Sequence, residues 1–146
     1  MHRPHLSRLQ FLSLLFLAAP ALITGCRTTH GTAGPPPVPQ PGKAVIVFYA
    51  VHGGTHNIDK LKVDGQFIHR FSPGYYFSAQ VNPGAHRLTH GIGVRWDNKD
   101  IHVQAGQTYY VCSEITGNLL TFGPRLIFVD PMEGREVVHK LRRWED

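Results

Sequence analysis

From residue 43 to residue 129 the sequence is interrupted about every ten residues by turn chemistry, and this spacing limits the fold more than any other feature. Asp64-Gly65, Ser72-Pro73-Gly74, Asn82-Pro83-Gly84, Ala105-Gly106-Gln107 and Gly117-Asn118 supply the residue types that reverse a backbone. The segments between them are short and rich in β-branched and aromatic residues, which suits strands. No long helical periodicity occurs in this interior, so no βαβ unit and no dinucleotide-binding fold can be built. The expected class is mainly β: an antiparallel sandwich, or a small barrel, of seven or eight strands.

Residues 43–51, KAVIVFYAV, read as a central strand buried on both faces. Residues 58–64 and 66–71 flank Asp64-Gly65 as a hairpin, with Phe67, His69 and Phe71 on one face of the second arm. Residues 75–81 alternate Tyr75, Phe77, Ala79 and Val81 against Tyr76, Ser78 and Gln80. After Asn82-Pro83-Gly84, residues 85–92 return with His86, Leu88, His90 and Ile92 on one face, which predicts a second hairpin. Val94 and Trp96 extend the apolar pattern before a polar loop at 97–100, and further arms are expected at 101–104, 108–115 and 126–129.

The end of the chain changes character. Asp130, Pro131 and Glu133 stand where an N-cap, an N1 proline and an N3 acid belong, and Val137, Val138, Leu141 and Trp144 recur at helical spacing. A short C-terminal helix is expected. A final strand across 136–141 is the alternative, because Gly134 costs a helix up to about 1 kcal/mol relative to Ala.

At the other end, Arg3 and Arg8 precede an apolar run over 11–23, shorter than the roughly 20 residues that span a bilayer, and the run ends in small residues before Cys26. This is the form of a secretory signal. Ile23-Thr24-Gly25-Cys26 resembles the bacterial lipobox, and the resemblance implies cleavage before Cys26 and diacylation of its thiol. A second acyl chain makes bilayer attachment stable. Arg27 stands where an inner-membrane retention signal has Asp, so the resemblance implies the outer membrane, facing the periplasm, rather than the inner. The expected organisation is a lipoprotein signal peptide at 1–25, a lipidated Cys26 with a proline-rich tether at 26–42, and a β-sandwich domain at 43–146. Removing Arg3 and Arg8 leaves thirteen basic against ten acidic side chains, a balance too modest to point to nucleic acid.

The folded part resembles a group of bacterial lipoproteins that share a domain of unknown function and are related in style to the small PEGA-type sandwich. The resemblance is carried by KAVIVFY, the VDG turn, NPGAH, AGQTYYV and RLIFVDPMEG. It implies an immunoglobulin-like or PEGA-like antiparallel sandwich and supplies no catalytic residue or cofactor.

Chemistry-bearing residues are few. Cys112 sits in an alternating stretch, where burial as a small hydrophobe is expected. Ten histidines stand out, and His52 and His56 in HGGTH are the candidate metal ligands. HGGTH is similar to an esterase oxyanion loop, but no G-x-S-x-G elbow accompanies it, and Ser113-Glu114 point to opposite faces of a strand. Tyr76, Trp96 and Tyr110 are the candidate interaction surface, unless the C-terminal stripe covers it. The leading expectation is a non-enzymatic envelope lipoprotein, attached to the bilayer through Cys26, with an accessory or protein-interaction role. The alternatives are a carbohydrate- or peptidoglycan-binding module and a metal-handling domain using loop histidines.

Overall fold

Every residue of β1 (Ala44–Tyr49) is buried, and the other elements are arranged on both of its faces. In this computed structural model the described residues are 34–50, 59–70, 72–117 and 122–144; Cys26, His52, His56 and Phe71 lie outside them. The remaining elements are β2 (Asp59–Val63), β3 (Gln66–His69), β4 (Tyr75–Val81), β5 (Gly84–Ile92), β6 (Arg95–Val103), β7 (Thr108–Thr116), β8 (Gly123–Val129), α1 (Pro131–Val138) and β9 (Arg142–Arg143). Among the described residues they form a mainly β, sandwich-like fold of nine strands in two sheets with one short C-terminal helix. The larger sheet has the order β8-β7-β1-β4-β9, and the smaller β3-β2-β5-β6.

The larger sheet is mixed, which corrects the expectation of an antiparallel sandwich. β1 pairs antiparallel with β4 but parallel with β7, placing Val47 opposite Ser78 on one side and Tyr110 on the other. β9 also joins β4 in parallel. Parallel neighbours need a long crossover, and the chain from β2 to β6 provides one for β1 and β7.

The Asn82-Pro83-Gly84 turn is a second correction. It closes no hairpin: β4 belongs to the larger sheet and β5 to the smaller, so the turn carries the chain across the core. The apolar face of β4, through Phe77 and Val81, then packs toward Leu88 of β5 in the core between the sheets. The long hairpin is instead β5–β6, paired from Gly84↔Val103 to Ile92↔Arg95. Gly93 takes φ +58 at its tip, as the first central position of a type II′ turn requires. The expected loop at 97–100 is therefore part of β6. An edge strand with one face in solvent accommodates polar residues without leaving them unsatisfied. A register shift between Leu61 and Lys62 separates Phe67 from His69: Phe67 opposes Lys62, and His69 turns inward to Phe77 and Trp144.

Two apolar clusters result. Between the sheets lie Ile46, Phe48, Leu61, Phe77, Leu88, Val103, Val111 and Leu126, with Phe48 and Phe77 stacked at 5.2 Å. On the outer face of the larger sheet, Val45, Val47, Tyr49, Tyr76, Tyr110 and Cys112 are covered by Val138 of α1, with Val137 and Leu141 beside it. Fully burying side chains of this size contributes about 1.5–3 kcal/mol each. The helix starts as expected, with the Asp130 carboxylate accepting the Met132 N–H at 2.8 Å. It ends at Val138, so Trp144 leaves the anticipated stripe and packs against Tyr75 and His69 instead.

The described part of the expected tether lies on the domain. Tyr76 donates its hydroxyl to the Gly34 carbonyl, while the Gln80 amide donates to Val38 O at 3.1 Å and accepts the Gln40 N–H at 3.2 Å. A proline-rich stretch has no internal hydrogen bonds, and Gln80 satisfies two of its backbone groups.

Gly134 shows how closely α1 approaches. A Cβ there would lie 2.4 Å from the Tyr110 ring. Gly134→Ala gains helix propensity of about 1 kcal/mol but forces ring or helix to move, at about 1–3 kcal/mol. The net expectation is a lower melting temperature; an unchanged or raised one contradicts this packing.

Candidate binding face and polar clusters

Residue types alone would single out Ser113, His90 and Asp97. Ser113 Oγ lies 3.1 Å from His90 Nδ1, and Asp97 pairs across from His90 in the β5–β6 ladder. Both Ser113 and His90 are closed off from solvent, at 4% and 0% exposure, so no substrate can reach them. They bridge β7 to β5 across the core, while Asp97 accepts the Leu126 N–H at 2.7 Å and ties β6 to β8. Burial pushes the His90 imidazole down to about 4 against the opposing pull of Asp97, so the ring is neutral at pH 7.

At one end of the sandwich, His86 lies between Asp64 Oδ2, 2.6 Å from Nδ1, and Asn82 O, 2.7 Å from Nε2. Both partners only accept, so both ring nitrogens must donate and His86 is an imidazolium. Burial opposes that charge, but the hydrogen bonds to Asp64 and Asn82 and the Asp64 charge outweigh it and raise the pKa. Asp64 is held low, first by the Arg87 N–H at 2.9 Å and then by His86. Asp64 and Gly65, with φ +52 and +80, form the type I′ turn between β2 and β3, so this cluster locks that turn onto β5. A cleft of about 310 Å³ adjoins it, where Lys43 Nζ donates to Asn82 Oδ1 at 2.6 Å. With both nitrogens occupied, His86 cannot ligate a metal in this state. Among the described residues no three His, Cys, Asp or Glu side chains gather as a metal site.

The outer face of the smaller sheet is the one broad strand surface among the described residues that no other element covers. Alternation in DKLKV, GAHRLTH and RWDNKDIHV puts Lys60, Lys62, Arg87, Thr89, Trp96, Asn98 and Asp100 on it. Cross-strand rows follow from the register: Lys60, Gly91 and Trp96 in one, Phe67, Lys62, Thr89 and Asn98 in the next, Arg87 and Asp100 in a third. Trp96 is 45% exposed and lies over Gly91, where a Cβ would meet the indole at 2.2 Å. Lys62 Nζ is 5.1 Å from the indole centroid. Thr89 donates to Asn98 at 2.7 Å, and Arg87 grips Asp100 in two parallel hydrogen bonds of 2.8 and 3.0 Å.

The aromatic residues anticipated as one interaction surface are thus divided. Trp96 is on the open face, whereas Tyr76 and Tyr110, at 0% and 3% exposure, lie under α1 on the other sheet and are corrected from surface to core. Lys60, Lys62, Thr89 and Asn98 were not singled out from sequence, although their alternation with Leu61, Leu88 and Asp97 carries the signal.

A scan against known families matches residues 40–124 to a protein family of unknown function, DUF2846. That is more than half of the chain. The chain belongs to the DUF2846 family. The DUF2846 region contains β1 to β7 and the whole open face, and it stops before α1 and β9. No curated protein matches the chain. No helix among the described residues is long and apolar enough to cross a membrane.

The titrating histidines set a pH profile. His90, with a lowered folded pKa, contributes stability that is complete above 6.5 and declines toward 4. His86, with a raised one, contributes stability that is complete below 6.5 and is lost as pH rises through the folded value. Thermal stability is therefore expected to peak near pH 6.5, and His86→Gln is expected to flatten the alkaline limb. An unaltered alkaline slope in that variant contradicts the imidazolium assignment.

Proposed function

We propose that this DUF2846 protein is a non-catalytic, lipid-anchored protein of the bacterial cell envelope, whose domain holds a ligand on the outer face of the β3-β2-β5-β6 sheet. One observation carries the binding part. The larger sheet has its outer face covered by α1 and the 34–40 segment, while the smaller sheet leaves Trp96 and Phe67 in solvent, at 45% and 55% exposure. Exposed aromatics on a flat surface are a recurrent property of binding sites. Support for the anchor is the Leu22-Ile23-Thr24-Gly25-Cys26 sequence behind an apolar leader. If acylation occurs at Cys26 and residues 34–40 stay docked, only residues 27–33 remain as linker. An extended chain of that length reaches about 25 Å, so the domain would work close to the bilayer surface.

Two measurements test this reading. Radiolabelled palmitate is expected to enter the wild-type chain and not Cys26→Ser, which should also move from the membrane to the soluble fraction; labelled Cys26→Ser contradicts it. A photo-crosslinking residue at Asn98 on the open face is expected to give adducts in intact cells, and one at Glu136 on α1 to give none. The reverse pattern contradicts the assignment of the face.

A further inference from the structure

We infer that the ligand of this open face is a carboxylate-bearing glycan, the peptidoglycan of the cell wall, with a sugar ring stacked on Trp96 and its acidic groups paired with Lys60 and Lys62. The inference rests on the open face being the binding face and names what that face takes.

Aromatic placement gives the first argument. The Trp96 indole lies across the sheet because Gly91 beneath it has no side chain; a Cβ there would be 2.2 Å from ring atoms. This presents a broad apolar plane beside polar neighbours, which suits a pyranose: apolar C–H bonds on its faces, hydroxyls around its rim. Thr89 and Asn98, hydrogen-bonded to each other at 2.7 Å, stand in the adjacent row and offer hydroxyl and amide groups to that rim.

Charge gives the second. Arg87 and Asp100 neutralise one another in a bidentate pair, so the net charge among the outward-facing side chains of β2, β5 and β6 comes from Lys60 and Lys62. Neither lysine has a carboxylate in its cross-strand row. Lys62 sits 5.1 Å from the indole centroid, where one ligand can stack and pair at the same time.

Other occupants fit less well. A protein interface needs a contiguous apolar centre, but Trp96 on β6 and Phe67 on β3 occupy opposite edges of the sheet, about 14 Å apart at ordinary strand spacing. An anionic bilayer calls for clusters of about four to eight cations, and nucleic acid for a basic stripe.

The probe is isolated peptidoglycan sacculi, sedimented with the purified full-length protein in detergent. Binding is expected, with a loss of about tenfold in Trp96→Ala, a comparable loss in the double Lys60→Glu, Lys62→Glu variant, and loss on sacculi whose carboxylates have been amidated. Circular dichroism melts of both variants separate lost contacts from lost fold. The lysine variant touches no core residue, so it keeps the test valid if Trp96→Ala unfolds. No sedimentation, or sedimentation indifferent to these changes, overturns the inference. Protein adducts from the Asn98 crosslinker without binding to sacculi overturn the glycan assignment alone, and absence of both overturns the binding face as well.

Discussion

β1 is the constraint on which the structure depends. Its six residues are buried, and its two neighbours run in opposite senses, β4 antiparallel and β7 parallel. A strand of this kind requires cover on both faces of its sheet. The smaller sheet supplies one cover and α1 with the 34–40 segment the other. Among the described residues no further element covers the smaller sheet's outer face, so satisfying β1 leaves that face open there.

Polar groups fix how the layers meet. Apolar packing alone tolerates sliding, whereas a buried hydrogen bond left unmade costs about 1–3 kcal/mol. Ser113 with His90, and Asp97 with the Leu126 N–H, join the layers at defined register. His86, Asp64 and Asn82 tie the β2–β3 turn and the β4–β5 connection to β5 at the far end. These groups carry the chemistry that would otherwise suggest catalysis or metal binding. They hold the layers together, and Trp96, Lys62, Thr89 and Asn98 on the open face form the proposed binding surface.

Much of this was legible in the sequence, and the misses share a cause. The buried central strand, the Asp64-Gly65 turn and the helix start at Asp130-Pro131 are local properties of residue type, and the structure has each of them where expected. The grouping of Tyr76 with Tyr110 on one face follows from strand alternation and is also correct, but what covers that face is decided by α1, far along the chain. Asn82-Pro83-Gly84 turns the backbone equally well into a paired strand or across a core, so its chemistry cannot distinguish hairpin from crossover. The parallel β1–β7 pairing and the bulge that turns Phe67 away from His69 are likewise contacts between strands rather than properties of either one. Asn98 and its neighbours looked like a loop because an edge strand with a wet face has a loop's composition.

The central claim is the asymmetry of the two outer faces, and hydroxyl-radical footprinting read by mass spectrometry tests it most directly. Trp96 and Phe67 are expected to oxidise at rates near those of the unfolded chain, and Tyr49, Tyr76 and Tyr110 to be strongly protected until global unfolding. Protection of Trp96 and Phe67 in the isolated protein, or rapid oxidation of Tyr76 and Tyr110, would contradict the account.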